Sequence, residues 1–149
     1  MKQSVAPFPI SAPQAPASLL FRLLRAAWEL EERLEEALNQ VDLSLPKLGV
    51  LKALAQADQP ITLSGLADCN RCVRSNITQL VDRLEGEGLV RRVNDPADRR
   101  IRRAALTPAG HKACADGLRV VAAQERQLAE ALSSVDTTAL GRALKHLAG

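Results

Sequence analysis

Residues 73–110 read VRSNITQLVDRLEGEGLVRRVNDPADRRIRRAALTPAG, and this stretch decides the fold. In its first part, apolar residues recur at intervals of three and four, the period of one helix face. These residues are Ile77, Leu80, Val81 and Leu84. The positions between them are polar or charged, and two glycines follow at positions 86 and 88. We therefore predict an amphipathic helix over about 74–86 that ends at this glycine pair.

The rest of the stretch predicts a β-hairpin and the start of a long helix. Residues 89–93 (LVRRV) and 101–106 (IRRAAL) are short strand candidates on either side of the charged turn 94–100 (NDPADRR). Thr107 precedes Pro108, which places a hydroxyl cap before a proline at the first helical position. Proline is tolerated there because its missing N–H would have no partner in the helix.

Three further helices are predicted before this stretch. Leucines at helical spacing indicate a first helix from about 18 to 41, with the charged run ELEERLEE on its outer side. In DLSLPKLGVLKALAQ, Ser44 can cap a second helix, and Thr62 can cap a short third one, LSGLADC. The buried stripe of the second helix is predicted to comprise Leu48, Leu51 and Ala55, with Leu54 beside them.

The predicted fold is mainly α with a small β-hairpin, in the order α-α-α-α-β-β-α-α. The long helix that starts at 108 carries apolar residues at helical spacing, and a final helix is predicted over 135–147. Two helices joined by a short turn and followed by a basic hairpin are the layout of a winged helix-turn-helix. We place this module at about 44–107.

Composition fits a single helical domain. The chain has 149 residues, 46% of them hydrophobic but only 2% aromatic, so the core is built mainly from Leu, Ala and Val. The net charge of +3 permits nucleic-acid binding without requiring it. Three cysteines are an odd count, which favours a reducing cytosol over a disulfide scaffold. The proline-rich residues 1–17 are predicted to be a disordered arm, no membrane span is predicted, and we expect a cytoplasmic protein.

The polar face of the 74–86 helix has the chemistry of major-groove recognition. Asn and Gln can bind adenine through two hydrogen bonds, and Arg can bind guanine in the same way. The first turn of this helix is cationic, whereas an exposed helix usually places acidic residues there, so the helix suits an anionic partner. The candidate contacts are Arg74, Ser75, Asn76, Thr78 and Gln79. An ordinary amphipathic surface helix is the alternative.

The turn of the hairpin suits the minor groove. Arg99 and Arg100 at its tip match a narrow groove, where the negative potential attracts inserted arginine. Asp98 lies two residues before Arg100, and we predict that its carboxylate holds that guanidinium in a fixed orientation. Arg102 and Arg103 are adjacent on a strand and so point to opposite faces, which lets one of them reach backbone phosphates. The alternative for this charged run is a solvated loop.

From Leu43 to about Gly110 the chain resembles the MarR family of bacterial transcription regulators. The resemblance is carried by LSLPKLGVLKAL, LSGLAD, VRSNITQLVDRLEGEGLV and DPADRRIRRAALTPAG. It implies a homodimer built from helices at both chain ends, about 18–41 and 108–148, that reads double-stranded DNA at a pseudo-palindrome with half-sites about 10 bp apart.

The same resemblance implies roles for individual residues. Arg100 would be the minor-groove arginine with Asp98 as its buttress, and Thr62 and Ser64 would contact phosphates. Asp82 and Arg83 match a segment of the family in which a structural ion pair is at least as expected as a DNA contact. The family commonly binds small aromatic effectors, and Trp28 could line such a site, although core packing is the more usual role for a lone Trp.

The turn between the third and fourth predicted helices departs from the family pattern. It reads DCNRCV at 68–73, with Asn70, Arg71 and Val73 where the family usually has Leu, Gly and a capping residue. Cys69 and Cys72 lie in this turn and could sense oxidant, or bind metal together with Cys114 and a histidine. The simpler interpretation is that the cysteines are small core residues without reactivity.

Other functional classes find less support. The sequence has no Ser/His/Asp arrangement, no Gly-rich phosphate loop and only two histidines, so we predict neither an enzyme nor a cofactor. The strongest alternative is a winged-helix module for protein–protein contact, but it should expose apolar groups on the fourth helix and lack arginines at the turn. We therefore predict a DNA-binding regulator, with repression as the expected mode.

Overall fold

A computed structural model describes residues 18–69, 74–95, 97–98 and 100–148. Within these ranges, residues 69, 74, 75 and 148 are described by their backbone alone. Its elements follow the predicted order, with one short strand added. They are α1 (Leu19–Asn39), α2 (Leu45–Gln56), β1 (Ile61–Thr62), α3 (Leu63–Cys69), α4 (Arg74–Gly86), β2 (Val90–Asn94), β3 (Arg102–Leu106), α5 (Pro108–Ala131) and α6 (Thr137–Ala148). The predicted mainly α fold with a β-hairpin is confirmed.

The chain divides into two compact units, residues 1–32 and 33–149. The described part of the first unit is the N-terminal portion of α1. Its apolar side chains are largely exposed, with Leu19 at 71% and Phe21 at 62%. Trp28 is 42% exposed, so its predicted core role is wrong for the described chain. An ion pair joins Arg25 to Glu29 along the helix.

The second unit holds the buried core. Side chains from the end of α1, from α2, α3, α4 and α5, and from β2 and β3 fill it. The largest fully buried ones are Leu38, Leu51, Leu66, Ile77, Leu84, Val50, Val81 and Val90. In α2 the predicted stripe is right for Leu48, Leu51 and Leu54 but wrong for Ala55, which is exposed, whereas Val50 is buried. Packing on both sides of α2 makes its buried face wider than one stripe.

The predicted helix caps are observed. Ser44 accepts a hydrogen bond from the Lys47 N–H at the start of α2, and Thr107 accepts one from the Gly110 N–H at the start of α5. The last helix begins at Thr137, not at Val135 as predicted, because the carboxylate of Asp136 caps it.

The sheet has the strand order β1-β3-β2, with both pairs antiparallel. Strand β1 escaped prediction because two residues carry no periodic signal. It pairs Ile61 with Ala104 and Thr62 with Arg103, and this pairing connects the start of α3 to the hairpin. None of the helices in the described part of the chain is long and apolar enough to cross a membrane.

Candidate DNA interface

Helix α4 buries one face and presents the other outward. Ile77, Val81 and Leu84 are fully buried against the core. Asn76, Thr78 and Gln79 are exposed on the remaining surface, as the sequence predicts. Burial of the apolar stripe therefore fixes which polar groups the helix offers to a partner.

Arg92 on β2 joins α4 to the hairpin. Its guanidinium forms ion pairs with Asp82 and, at 3.1 Å, with Glu85, and its backbone N–H donates to Glu85 at 3.1 Å. Asp82 thus has the structural ion-pair role that was one of its two predicted roles, whereas Arg83 is exposed. These bonds of Arg92 therefore hold α4 against β2, through side chains that lie outside the turn of the hairpin.

At the tip of the hairpin, Asp98 shapes the turn. Its carboxylate accepts a hydrogen bond from the backbone N–H of Arg100 at 2.9 Å, and its carbonyl accepts one from Ile101 at 3.0 Å. The predicted bond from this carboxylate to the Arg100 guanidinium is therefore corrected to a bond with the backbone, because that N–H lies within reach of a carboxylate two residues earlier in a turn. The side chain of Arg100 is exposed.

Asp95, a residue of this hairpin that the site prediction missed, is the one buried charged residue in the described part of the chain, and Arg103 is its partner. Asp95 is 6% exposed and accepts hydrogen bonds from the N–H groups of Ala97 at 2.8 Å and Asp98 at 3.2 Å. It also forms an ion pair with Arg103, whose guanidinium donates to the Pro60 carbonyl at 3.0 Å. The hydrogen bond from the Ala97 N–H has the largest effect in lowering the pKa of Asp95 below its usual value, and the hydrogen bond from Arg103 has the next largest.

A sequence signal for Asp95 existed. Asp followed by Pro and a second Asp three residues later is typical of a turn in which the first carboxylate binds backbone N–H groups ahead of it. No comparable signal identified Arg103, since strand alternation leaves open which of two adjacent arginines faces inward. The structure turns Arg103 inward and leaves Arg102 exposed.

At the start of α3, the hydroxyls of Thr62 and Ser64 lie 3.2 Å apart. Thr62 also accepts the hydrogen bond of the Gly65 N–H at 3.1 Å and so caps the helix as predicted. Both side chains are half-buried, and they mark the N-terminal end of the helix before α4.

Several predicted site residues fall outside the description. Arg99 and Cys72 are not among the described residues, and neither are the side chains of Arg74, Ser75 and Cys69. Cys114 is described and is buried at 3% exposure, and this burial raises the pKa of its thiol. Within the described ranges, no group of three or more His, Cys, Asp or Glu side chains could hold a metal ion.

Comparison with known proteins places these features in a family. Residues 41–101 match the model of the MarR family. The chain is 38% identical over 72 residues to the transcriptional regulator HosA of Escherichia coli O111:H-, an alignment that covers 48% of this chain and 52% of HosA. The chain spans about half the length of the curated relatives it matches.

Solved structures extend the match over most of the chain. The transcriptional repressor CouR bound to a 23-mer DNA duplex is 30% identical, with a TM-score of 0.79 over 88% of this chain and 92% of CouR. CouR from Rhodococcus jostii RHA1 bound to p-coumaroyl-CoA is 26% identical, with a TM-score of 0.75 over 91% of this chain and 93% of that chain.

Proposed function

As this chain belongs to the MarR family of DNA-binding transcriptional regulators, we propose that it acts as a homodimeric repressor on a pseudo-palindromic operator and is released by a small-molecule or oxidant signal. Regulators of this family bind DNA and are not enzymes. The observation that carries the proposal is the exposed polar face of α4, held to a basic hairpin by Arg92.

In the proposed complex, α4 lies in the major groove. The exposed amides of Asn76 and Gln79 have the donors and acceptors to read adenine, and Thr78 is short enough to let the helix approach the bases. We propose Arg74 and Ser75 as further contacts, because they occupy the first turn of the same helix. The burial of Ile77, Val81 and Leu84 supports this orientation, since it leaves the polar face to the partner.

The hairpin is the proposed wing. Arg100 lies at its tip with an exposed side chain, and we propose that Arg100 and Arg99 enter the adjacent minor groove. Thr62 and Ser64 would bind phosphates with their hydroxyls at the start of α3. Asp98 would act by fixing the backbone of Arg100 and not by holding its guanidinium.

Exposed apolar side chains support the homodimer. In the first unit, Leu19, Leu20 and Phe21 are each more than 60% exposed. In the second unit, Leu144 is 49% and Leu147 72% exposed on α6. Apolar groups gathered at this density on helices usually meet a partner, and a second copy of the chain would cover them.

A small aromatic ligand is the proposed signal. CouR is the repressor whose structure contains p-coumaroyl-CoA, which has a phenolic group, and it resembles this chain over nearly its whole length. Oxidation at Cys69 and Cys72 is the second candidate signal. The buried Cys114 favours neither oxidation nor metal binding, because burial shields its thiol and raises the pKa of that thiol.

The proposal is tested by fluorescence anisotropy on a duplex from the DNA upstream of this protein's own coding sequence and on a scrambled duplex. We expect preferential binding to the native duplex that weakens steeply with salt. Arg100→Met should weaken it by roughly 5- to 100-fold. Arg91→Met is the matched control, because Arg91 is an exposed arginine at the base of the same hairpin, paired with Ala105, and should stay within about threefold of the wild type.

Equal and weak binding of both duplexes would contradict the proposal and would favour a module for protein–protein contact. Release of the native duplex by aromatic acyl thioesters supports a small-molecule signal. Reversible release by peroxide that Cys69→Ser abolishes supports the oxidant signal instead.

A further inference from the structure

The turn that leads into the tip of the wing is built around one carboxylate. Asp95 follows β2 directly, and its side chain is buried inside the turn, where it receives the N–H groups of Ala97 and Asp98. A buried carboxylate is costly unless a cation accompanies it. Arg103, which lies on the returning strand β3, supplies that cation.

The Arg103 guanidinium reaches beyond the hairpin. It donates to the carbonyl of Pro60, which is 43 residues away in sequence and directly precedes β1. In the sheet, Arg103 is also the residue that pairs with Thr62, the cap of α3. One planar side chain therefore connects the wing tip, through Asp95, to the segment that carries the proposed phosphate contacts of α3.

This wing anchor, which comprises Asp95, Arg103 and the Pro60 carbonyl, fixes the distance between two parts of the proposed interface. Arg100 follows Asp95 by five residues at the tip, and Thr62 follows Pro60 by two residues. If the anchor is lost, the tip of the wing has to become ordered when DNA binds. Binding is then weaker, because ordering this segment costs conformational entropy. The planar fork of arginine presents Nε to Asp95 and Nη1 to the Pro60 carbonyl in one fixed geometry, whereas an apolar chain presents no donor.

We propose that Asp95 and Arg103 are positioning residues for DNA binding, which hold the wing tip and the start of α3 in the geometry that the operator requires. The proposal rests on the proposed function and deepens it, because it gives a role in DNA binding to two residues that are not among the proposed DNA contacts. It assigns to Arg103 a role different from the phosphate contact that its charge alone suggests.

The direction in which one substitution changes the affinity for DNA separates a positioning role from a simple effect of charge. Asp95→Asn removes a negative charge, and by electrostatics alone this should leave DNA binding unchanged or make it tighter. The anchor predicts the opposite, because the Arg103 guanidinium loses its charged partner. Asp58→Asn is the matched control: it makes the same charge change at an exposed residue beside Pro60 and should bind DNA as tightly as the wild type or slightly more tightly.

We would measure the affinity of the full-length variants for the native duplex by anisotropy over a series of salt concentrations. Asp95→Asn and Arg103→Met should each bind about tenfold more weakly. For Arg103→Met, the slope of log K against log salt should equal that of the wild type. Loss of a true phosphate contact would instead reduce the slope by about 0.9. Arg102→Met is the comparison variant for the loss of such a contact, because it removes the exposed arginine next to Arg103.

Hydrogen exchange in the free protein tests the anchor without DNA. The amides of Ala97 and Asp98 bind the Asp95 carboxylate, so their exchange should become roughly tenfold faster in Arg103→Met and stay unchanged in Arg102→Met. A cooperative thermal unfolding transition that lies above the assay temperature in Asp95→Asn and in Asp58→Asn would show that both variants are folded.

Asp95→Asn binding as tightly as Asp58→Asn, or a reduced salt slope in Arg103→Met, would overturn the proposal. If the wild type shows no preference for the native duplex, the proposed function fails. The exchange rates then still decide whether Arg103 holds the wing tip.

Discussion

A methyl group added at Gly110 should disrupt the junction between α5 and the hairpin. Gly110 is buried in the first turn of α5. A Cβ atom at this position would lie 1.9 Å from the carbonyl oxygen of Leu89 and 3.1 Å from a methyl group of Leu106. Carbon atoms normally approach other heavy atoms to about 3.5 Å, so the Leu89 backbone would have to move by more than about 1 Å.

The cost follows from what that carbonyl does. The Leu89 oxygen accepts the N–H of Thr107 at 3.1 Å and its hydroxyl at 3.2 Å, and these bonds hold the start of α5 against the start of β2. Overpacking costs about 1–3 kcal/mol and each weakened hydrogen bond about 1 kcal/mol. Alanine regains about 1 kcal/mol of helix propensity. Gly110→Ala should therefore lower the free energy of unfolding by about 2–4 kcal/mol.

Urea unfolding at one fixed protein concentration measures this change, since the apparent stability of the proposed dimer would depend on concentration. Gly86→Ala is the control, because nothing lies within 4 Å of a Cβ built on this helical glycine. It should be neutral or more stable by up to about 1 kcal/mol. A Gly110→Ala protein within 1 kcal/mol of the wild type would refute the reasoning about the Leu89 carbonyl.

Three further outcomes follow from the same structure. Thr107→Val should lose about 1–2 kcal/mol of unfolding free energy, because the hydroxyl both caps α5 and donates to Gly88 at 2.7 Å, and Thr107→Ser should restore most of it. Ion pairs with Lys112 and Arg119 on α5 lower the pKa of Asp116, as the bonds from Ala97 and Arg103 lower that of Asp95. Both carboxylates therefore stabilise the fold fully above their usual pKa of about 4, and this stabilisation is lost as the pH falls through the lowered values. Thermal unfolding between pH 6 and pH 3 should show this loss, and Asp95→Asn should reduce it. Iodoacetamide at pH 8 should leave Cys114 unlabelled in the native protein and label it in urea, as read by mass spectrometry; equal labelling in both conditions would contradict its burial.

The sequence alone determined the order of the helices and of the two hairpin strands, and which residues form the two faces of α4. Helical periodicity and capping are local, so they place Ile77, Val81 and Leu84 on the buried face and Thr107 at the start of α5 without knowledge of the fold. The exposed positions of Asn76 and Gln79 follow from the same period. The part of the candidate interface that α4 presents could therefore be predicted, because the period of a single helix decides it.

What only the tertiary structure decided depends on residues distant in sequence. Strand alternation predicts that Arg102 and Arg103 face opposite ways, but the inward choice is made by β1 and by the Pro60 carbonyl, 43 residues before Arg103. The same holds for Arg92, which finds its carboxylates across the packed faces of α4 and β2. A charged side chain is equally compatible with solvent and with a buried partner until the fold places that partner, and so the wing anchor could not be predicted from the sequence.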